Sequence, residues 1–422
     1  MENTYNDNDL VVGLDIGTTK IATVIGYRNE NGQINITGHG VSVSSGVEFG
    51  EICNINHTVE GILRSKAIAE EHAKVNIQNV YVGIAGHHIK TSKYTHHLYR
   101  YNNNDPISQE EIDNLQEEIF QVVVSPGEEI IDVIPQHYLI DNVRESPDPV
   151  GELGNEIILE PIASGLACLS EEEKRNGVAL VDIGGGTTDL IIFINGCPVY
   201  TKVISLGGNV ITHDIAQVCK ISKEMAEQIK IKYGTCVVDK SNENNLVTIP
   251  RNYGQEPIQI NENYIAQIIN ARVQGEILGA IKKEILNSGY RDQLLSGIVL
   301  TGGGANLRHI RELCQFVLQM PTRIGFPENG FSRNIPTELK QPMFSTALGL
   351  LKYGIEAEEY NRSKADFEDE EEKGIRLFGK KNKEKERKDL PKTPNRGGKE
   401  SNKWGFFNKV HDWLVSALDN VY

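Results

Sequence analysis

Two short stretches carry residue types that could hold a phosphate and a metal ion. Asp15-Ile16-Gly17-Thr18-Thr19-Lys20 is matched far along the chain by Asp182-Ile183-Gly184-Gly185-Gly186-Thr187-Thr188. Glycines let backbone N–H groups approach a phosphate with no Cβ in the way. The hydroxyls of Thr18, Thr19, Thr187 and Thr188 add donors, and Lys20 can neutralise phosphate oxygens. Asp15 and Asp182 would repel a naked phosphate. Both make sense with Mg²⁺ between them, reached through water because Mg²⁺ keeps much of its hydration shell. Two such turns would grip a polyphosphate from either side.

The flanking residues say what must position these turns. Apolar runs precede Asp15 and Asp182, and apolar runs follow, in the second case Asp189-Leu190-Ile191-Ile192-Phe193-Ile194. That segment is rich in β-branched and aromatic residues, so the chain returns as a strand. Each turn is therefore a β-hairpin tip, unlike the phosphate loops that lead from a strand into a helix. Its repetition implies two similar lobes facing each other. A third element, Gly297-Ile298-Val299-Leu300-Thr301-Gly302-Gly303-Gly304-Ala305, is a buried strand ending in glycines, with helical character from Asn306 onward. A base and sugar could rest against Gly302, Gly303 and Gly304. Taken in this order, the three elements predict a nucleotide cleft.

Composition narrows the class. At 422 residues the chain should form two to four domains. A formal charge of −15 argues against a nucleic-acid partner. Six scattered cysteines with no CxxC pair suit a reducing compartment and argue against a disulfide framework or zinc site. The polar N-terminus MENTYNDNDL does not read as a signal peptide, and no apolar run reaches bilayer length. His87-His88 and His96-His97 are adjacent on strand-like segments, so each pair points to opposite faces and cannot chelate as a unit.

The C-terminus has a different character. Asp366 to Glu372 is acidic, and Lys373 to Lys403 holds 12 Lys and Arg against 4 Asp and Glu, so this polar linker should be disordered. Beyond it, Trp404, Phe406, Phe407, Val410, Trp413, Leu414, Ala417, Leu418 and Val421 form an apolar helical stripe opposite Asn408, Lys409, Asp412, Ser416 and Asp419. Such a helix could dock on the protein's own core or on a partner. A helix meant for the core seldom needs so long a tether, and a polybasic run beside an amphipathic helix is a two-signal arrangement for an anionic membrane. Partial burial of the aromatics with the basic neighbours gives a net of about 6–8 kcal/mol, or roughly micromolar to tens-of-micromolar affinity for one copy. A row of copies would bind firmly.

The three glycine elements resemble the actin, Hsp70 and sugar-kinase superfamily of two-lobed ATP-binding proteins. Glu160-Pro161-Ile162-Ala163-Ser164 and Phe344-Ser345-Thr346-Ala347-Leu348-Gly349-Leu350 look like its two interlobe connections, and by that analogy Glu160 would position the attacking water or the metal shell. With GLDIGTTKIA, VYVGIAGHHI, LEPIAS, ALVDIGGGTTDL, LGGNVIT, LTGGGA and the terminal helix, the chain resembles the FtsA family of bacterial cell-division proteins. The resemblance implies a two-lobed α/β actin-like fold of duplicated mixed sheets with a subdomain inserted in the first lobe. It implies ATP as the nucleotide, with Gly207, Gly208 and Asn209 close to it, and at most slow hydrolysis rather than metabolic catalysis. It further implies binding of the C-terminal peptide of the tubulin-like FtsZ, filament formation, contact with later division proteins, and a place at the inner face of the membrane at the septum.

On that basis residues 1–86 and 155–178 belong to the first-lobe core, with 87–154 the insert, and 179–222 and 297–342 to the second-lobe core, with 223–296 its outer subdomain. Residues 343–365 form a closing helix, 366–403 the linker and 404–422 the membrane helix. The chain departs from the family pattern where Pro149-Val150-Gly151-Glu152-Leu153-Gly154 runs almost at once into Glu156-Ile157-Ile158-Leu159-Glu160: roughly a strand and a helix are missing there. The alternative reading is a sugar-type kinase of the same superfamily, which would have no use for the tail.

Overall fold

The computed structural model describes residues 10–83, 96–100, 106–119, 135–140, 144–146, 156–161, 168–249, 256–333, 335–359 and 362. The chain divides into a body, Met1–Asn361, and a C-terminal unit, Arg362–Tyr422. The expected linker and the stripe from Trp404 to Val421 lie outside the described residues.

Alternating apolar residues build the first lobe around β1 (Val11–Ile16), β2 (Lys20–Arg28), β3 (Ile34–Val43), a two-residue hairpin of β4 (Val47–Glu48) and β5 (Glu51–Ile52), α1 (Ile55–Ala73) and β6 (Tyr81–Gly83). The sheet order is β3-β2-β1-β6, antiparallel except for the parallel pair β1 and β6. Asn54 caps α1 by accepting from the His57 amide. The helix buries a stripe of small residues, Thr58, Gly61, Ser65, Ala69 and Ala73. That stripe lets it approach Gly38 and Gly40 of β3 backbone to backbone.

The insert follows as β7 (His96–Tyr99), α2 (Gln109–Ile119), β8 (Pro135–Ile140), β9 (Arg144–Ser146) and β10 (Glu156–Pro161), with sheet order β7-β10-β8-β9. Here the structure differs from the sequence reading. The segment Glu156–Pro161, expected in the first-lobe core, is instead antiparallel to both β7 and β8. β10 thus takes its place in the sheet that β8 and β9 also form.

The second lobe repeats the first. It contains α3 (Glu171–Asn176), β11 (Val178–Ile183), β12 (Thr188–Ile194), β13 (Cys197–Ile204), α4 (Gly208–Cys219), α5 (Lys223–Tyr233), β14 (Leu246–Ile249), β15 (Ile258–Asn261), α6 (Glu262–Arg272), α7 (Leu278–Asn287), β16 (Ile298–Thr301), α8 (Ile310–Leu318) and β17 (Thr322–Ile324). A π-helical turn, Val273–Ile277, joins α6 to α7. The sheet order is β13-β12-β11-β16-β17, so β13-β12-β11-β16 reproduces β3-β2-β1-β6 and β17 extends it. A buried cluster including Val181, Leu190, Ile211, Ile265, Leu278, Leu300 and Leu313 forms its core. A last helix, α9 (345–359), returns to the first lobe, where Ala347, Leu348, Leu351 and Ile355 pack with Val11, Ala22 and Val24.

A Cβ on Gly40 would lie 2.0 Å from the Ser65 carbonyl oxygen and 2.8 Å from the Ala69 amide nitrogen. Gly40→Ala is therefore expected to cost about 1–3 kcal/mol by pushing α1 off the sheet. Gly275→Ala, which meets nothing within 4 Å, serves as the control. Urea unfolding of the two variants checks this, with the midpoint lowered by the first and not by the second.

Candidate functional site

The two hairpin tips are closed alike. The Gly17 amide donates to the Lys20 carbonyl at 3.0 Å, and the Gly184 amide to the Thr187 carbonyl at 2.9 Å. The tips also meet across the lobes. A Cβ built on Gly185 would lie 2.4 Å from Thr19 Cγ2, and one on Gly186 would lie 2.8 Å from Thr18 Oγ1 and 2.9 Å from the Phe49 backbone. Glycine is needed there because any side chain would drive the tips apart. The β4–β5 hairpin joins the contact, its Gly50 amide donating to Thr18 Oγ1 at 3.4 Å.

Behind the tips stand the carboxylates. Lys20 Nζ donates to Asp15 Oδ2 at 3.0 Å and lies 4.9 Å from the centre of the Phe344 ring. Asp182 Oδ2 accepts from Thr346 Oγ1 of α9 at 3.1 Å. Burial pushes the Asp182 carboxyl up to about 6, and the charge of Asp15 adds to the shift, while Thr346 and Lys20 oppose it. Register brings in a third carboxylate: Asp182 lies opposite Asp189, where the first lobe has Asp15 opposite Ala22. Cross-strand partners share one face, so like charges confront each other. Burial, then the Asp182 charge, pushes Asp189 up to about 7. Its Oδ1 is buried without a hydrogen-bond partner.

These are the hard oxygen donors that suit a divalent cation such as Mg²⁺. An excess of buried negative charge with an orphaned oxygen is the condition a cation would relieve. Among the described residues no three such side chains are placed to ligate one ion together, so a cation here would be reached from Asp15 and Asp182 through water.

The remaining elements converge on the second tip. The Gly208 amide donates to the Gly184 carbonyl at 2.9 Å and the Asn209 amide to the Gly185 carbonyl at 2.8 Å. A Cβ on Gly207 would lie 2.6 Å from the same Gly185 oxygen. The start of α4 thus lies on the glycine turn, its first amides held by the carbonyls of the turn. Gly302 takes a left-handed φ of 81°, and a Cβ there would lie 2.1 Å from Asp182 Oδ1. A Cβ on Gly304 would lie 2.4 Å from Ile183 Cγ2, whereas Gly303 faces open space. Gly302, Gly303 and Gly304 therefore lie over the end of β11. The helix expected from Asn306 begins later, at Ile310, because Gly303–Asn306 forms a 3₁₀ turn and His309 is left-handed.

The structure brings together Asp15, Gly17, Thr18, Thr19 and Lys20 with Asp182, Gly184, Gly185, Gly186, Thr187 and Thr188, and sets Gly207, Gly208, Asn209 and the Gly302 loop beside them. Glu160 belongs to β10 in the insert sheet.

Sequence reasoning missed three residues. Asp189 could have been found by writing out the hairpin register. The others are Lys230 and Glu227, spaced i and i+3 on α5. Lys230 Nζ donates to the Gly208 carbonyl at 3.0 Å and to Thr212 Oγ1 at 2.8 Å, and pairs with Glu227 Oε2 at 2.7 Å. Burial holds the Lys230 ammonium below the usual lysine range, with Glu227 acting against that shift. Its signal was a lysine next to the buried stripe of Ala226 and Ile229. Arg272, at the end of α6, is held by Asp214 at 2.5 and 2.7 Å and by Glu276.

The carboxylate pair makes stability depend on pH. Asp182 and Asp189 keep their protons in the folded state to about 6 and about 7, against 3.8 as the ordinary value, so the folded state binds more protons than the unfolded one across that window. Without divalent cation, the contribution of this pair to stability should be greatest below about pH 4 and be lost as pH rises through 7. Asp189→Asn should flatten that fall and raise the melting temperature at pH 8 more than at pH 5. Thermal melts in EDTA check this, and an unchanged slope would count against the buried pair.

Comparison with known proteins is consistent with this architecture. A family model described as "Cell division protein FtsA" matches residues 179–349, and one described as "SHS2 domain inserted in FTSA" matches residues 86–160. Cell division protein FtsA of Neisseria meningitidis is 34% identical over 372 residues, covering 80% of this chain and 88% of the relative. That of Borreliella burgdorferi is 33% identical over 390 residues, covering 84% and 93%. Among solved structures, a chain of a PilM–PilN type IV pilus biogenesis complex matches at 18% identity with a TM-score of 0.53, covering 82% of this chain and 98% of its own. The fold is actin-like, and the chain belongs to the FtsA family of cell-division proteins.

Proposed function

We propose that the chain binds Mg-ATP between its lobes, assembles with copies of itself at the inner face of the cytoplasmic membrane, and tethers the FtsZ ring there through Trp404–Tyr422. The observation that carries the nucleotide reading is the meeting of two duplicated hairpin tips, Thr18-Thr19 against Gly185-Gly186, in front of Asp15 and Asp182. Tip amides and the hydroxyls of Thr18, Thr19 and Thr187 bind the phosphates, and Lys20 neutralises them; the Thr188 hydroxyl, expected to join them, is buried and donates instead to the Leu206 carbonyl at 2.7 Å. Lys230 and Glu227 present polar groups beside Gly208, where a ribose would rest. The cation supplies charge neutralisation between carboxylates and phosphate when bound. Turnover is slow, with nucleotide acting on the lobes and on assembly.

Among the described residues, no helix is long and apolar enough to cross a membrane. We assign attachment to the C-terminal stripe, whose apolar residues lie beside a basic linker. The basic linker adds about 1 kcal/mol per Lys or Arg near an anionic surface. Relatives named for cell division support septal placement, and FtsZ binding comes from the same kinship.

Co-sedimentation with anionic liposomes and ATP tests the tether. The whole chain should pellet, and a chain ending at Lys403 should stay in solution. Pelleting of both, or of neither, would remove the helix as anchor. Asp182→Asn should weaken binding of a fluorescent ATP analogue in Mg²⁺ at least tenfold, a loss of about 1.4 kcal/mol, and unchanged affinity would reject the cleft assignment.

A further inference from the structure

Helix α5 carries the lysine that reaches the cleft, and its last turn is held from the side of the glycine loop. The turn ends at Gly234, whose amide donates to the Lys230 carbonyl at 2.9 Å. The carbonyls of Tyr233 and Gly234 lie past the last helical hydrogen bond and need partners. Arg308 supplies both: its Nε donates to the Gly234 carbonyl at 3.0 Å and its Nη2 to the Tyr233 carbonyl. A cation there also meets the negative end of the helix dipole. The same Nη2 donates to Glu262 Oε1 at 2.9 Å. Glu262 is the first residue of α6, its side chain only 7% exposed, and its other oxygen accepts from Asn245 Nδ2 at 2.7 Å. One guanidinium thus joins the end of α5 to the start of α6. The planar fork of arginine can serve all three acceptors, which the compact ammonium of lysine does not match.

The backbone of Arg308 is tied to the glycine loop. The 3₁₀ turn Gly303–Asn306 is closed by the Ala305 amide on the Gly302 carbonyl at 3.2 Å and by the Leu307 amide on the Gly304 carbonyl at 3.1 Å. Arg308 comes next, and its carbonyl accepts from the Cys236 amide at 2.8 Å. Thr235 lies beside it in a parallel bridge, with Thr235 Oγ1 at 2.8 Å from His309 Nδ1. Lys230 and Gly234 share the final turn of α5. That turn has no slack, since a Cβ on Gly234 would lie 2.2 Å from the Lys230 carbonyl oxygen and 3.0 Å from Ile269 Cδ1. What fixes Gly234 therefore fixes Lys230, whose Nζ reaches the Gly208 carbonyl and Thr212 Oγ1.

We propose that Arg308 is a positioning residue for the nucleoside half of the ligand. It acts through α5 and touches no ligand itself. By locking the last turn of α5 to the glycine loop, it keeps Lys230 and Glu227 aimed at ribose hydroxyls beside Gly208 when a base rests on Gly302–Gly304. The phosphate tips stand apart from this clamp, because each closes on itself, Gly17 to Lys20 and Gly184 to Thr187. The positioning role rests on the ATP reading above, whereas the clamp on α5 does not.

Two variants of the full chain, Arg308→Gln and Arg308→Lys, test this by calorimetry with ATP and 2′,3′-dideoxy-ATP in Mg²⁺. The unaltered chain should prefer ATP by about tenfold, the worth of one hydrogen bond to a charged group. Arg308→Gln should bring the two affinities within about twofold, by weakening ATP, and Arg308→Lys should restore part of the preference. Partial loss of folding would lower both affinities together, so their ratio reports positioning. Without nucleotide, amide exchange at Lys230–Gly234 should quicken in Arg308→Gln while that at Leu190–Ile192 stays as it was. The same preference in the unaltered chain and in Arg308→Gln, or no preference in a chain that binds ATP, would overturn the proposal. If the unaltered chain binds neither nucleotide, the ATP reading fails and the positioning role with it. Amide exchange then still decides whether Arg308 holds α5, and unchanged exchange in Arg308→Gln would reject the clamp.

Discussion

A buried cross-strand pair of aspartates, facing the charge of a third from the other lobe, sets the terms for the rest of the body. Asp182 and Asp189 are cross-strand neighbours in a buried sheet, and Asp15 adds its charge from the other lobe. Such a grouping is unfavourable by itself. Most of the structure around it limits the cost: Lys20 pairs with Asp15, Thr346 donates to Asp182, and Gly302 makes room for the carboxylate. One oxygen of Asp189 stays unsatisfied. A protein that needed only stability would have replaced these residues. Keeping them makes sense when a cation and a polyphosphate complete the charge pattern, so that the same groups that destabilise the empty cleft favour its occupied state.

The tips themselves explain why the lobes must be separate bodies. Each belongs to its own sheet and core, and they meet where Gly185 and Gly186 face Thr19 and Thr18. A ligand inserted between them acts on the lobe–lobe contact directly. Helix α9 crosses back from the second lobe to the first, packing on Val11, Ala22 and Val24 while its Thr346 reaches Asp182. The aspartate is thereby linked to the first-lobe core through one hydrogen bond and one packed helix. Such a route suits a protein whose nucleotide governs assembly.

Among the described residues the duplication holds for four strands of each lobe, and the insert adds a sheet of its own. Antiparallel pairing on both sides gives β10 two ladders in that sheet.

The paired glycine turns, the strand character on both sides of them, the duplication and the family were all legible in the chain. These depend on local residue chemistry and on order along the sequence. Asp189 stayed hidden because its meaning comes from register: the same aspartate turned to the other face would be an ordinary surface residue. Lys230 stayed hidden because a lysine on a helix is usually solvated, and only the packing of α5 against the start of α4 aims it at the Gly208 carbonyl. The place of β10 was misjudged because an apolar strand carries no label for the sheet that will take it. Sequence by itself determined which residues could hold phosphate, metal and membrane. Tertiary structure decided which of them meet, since long-range pairing depends on competition among edges and faces that no local pattern records.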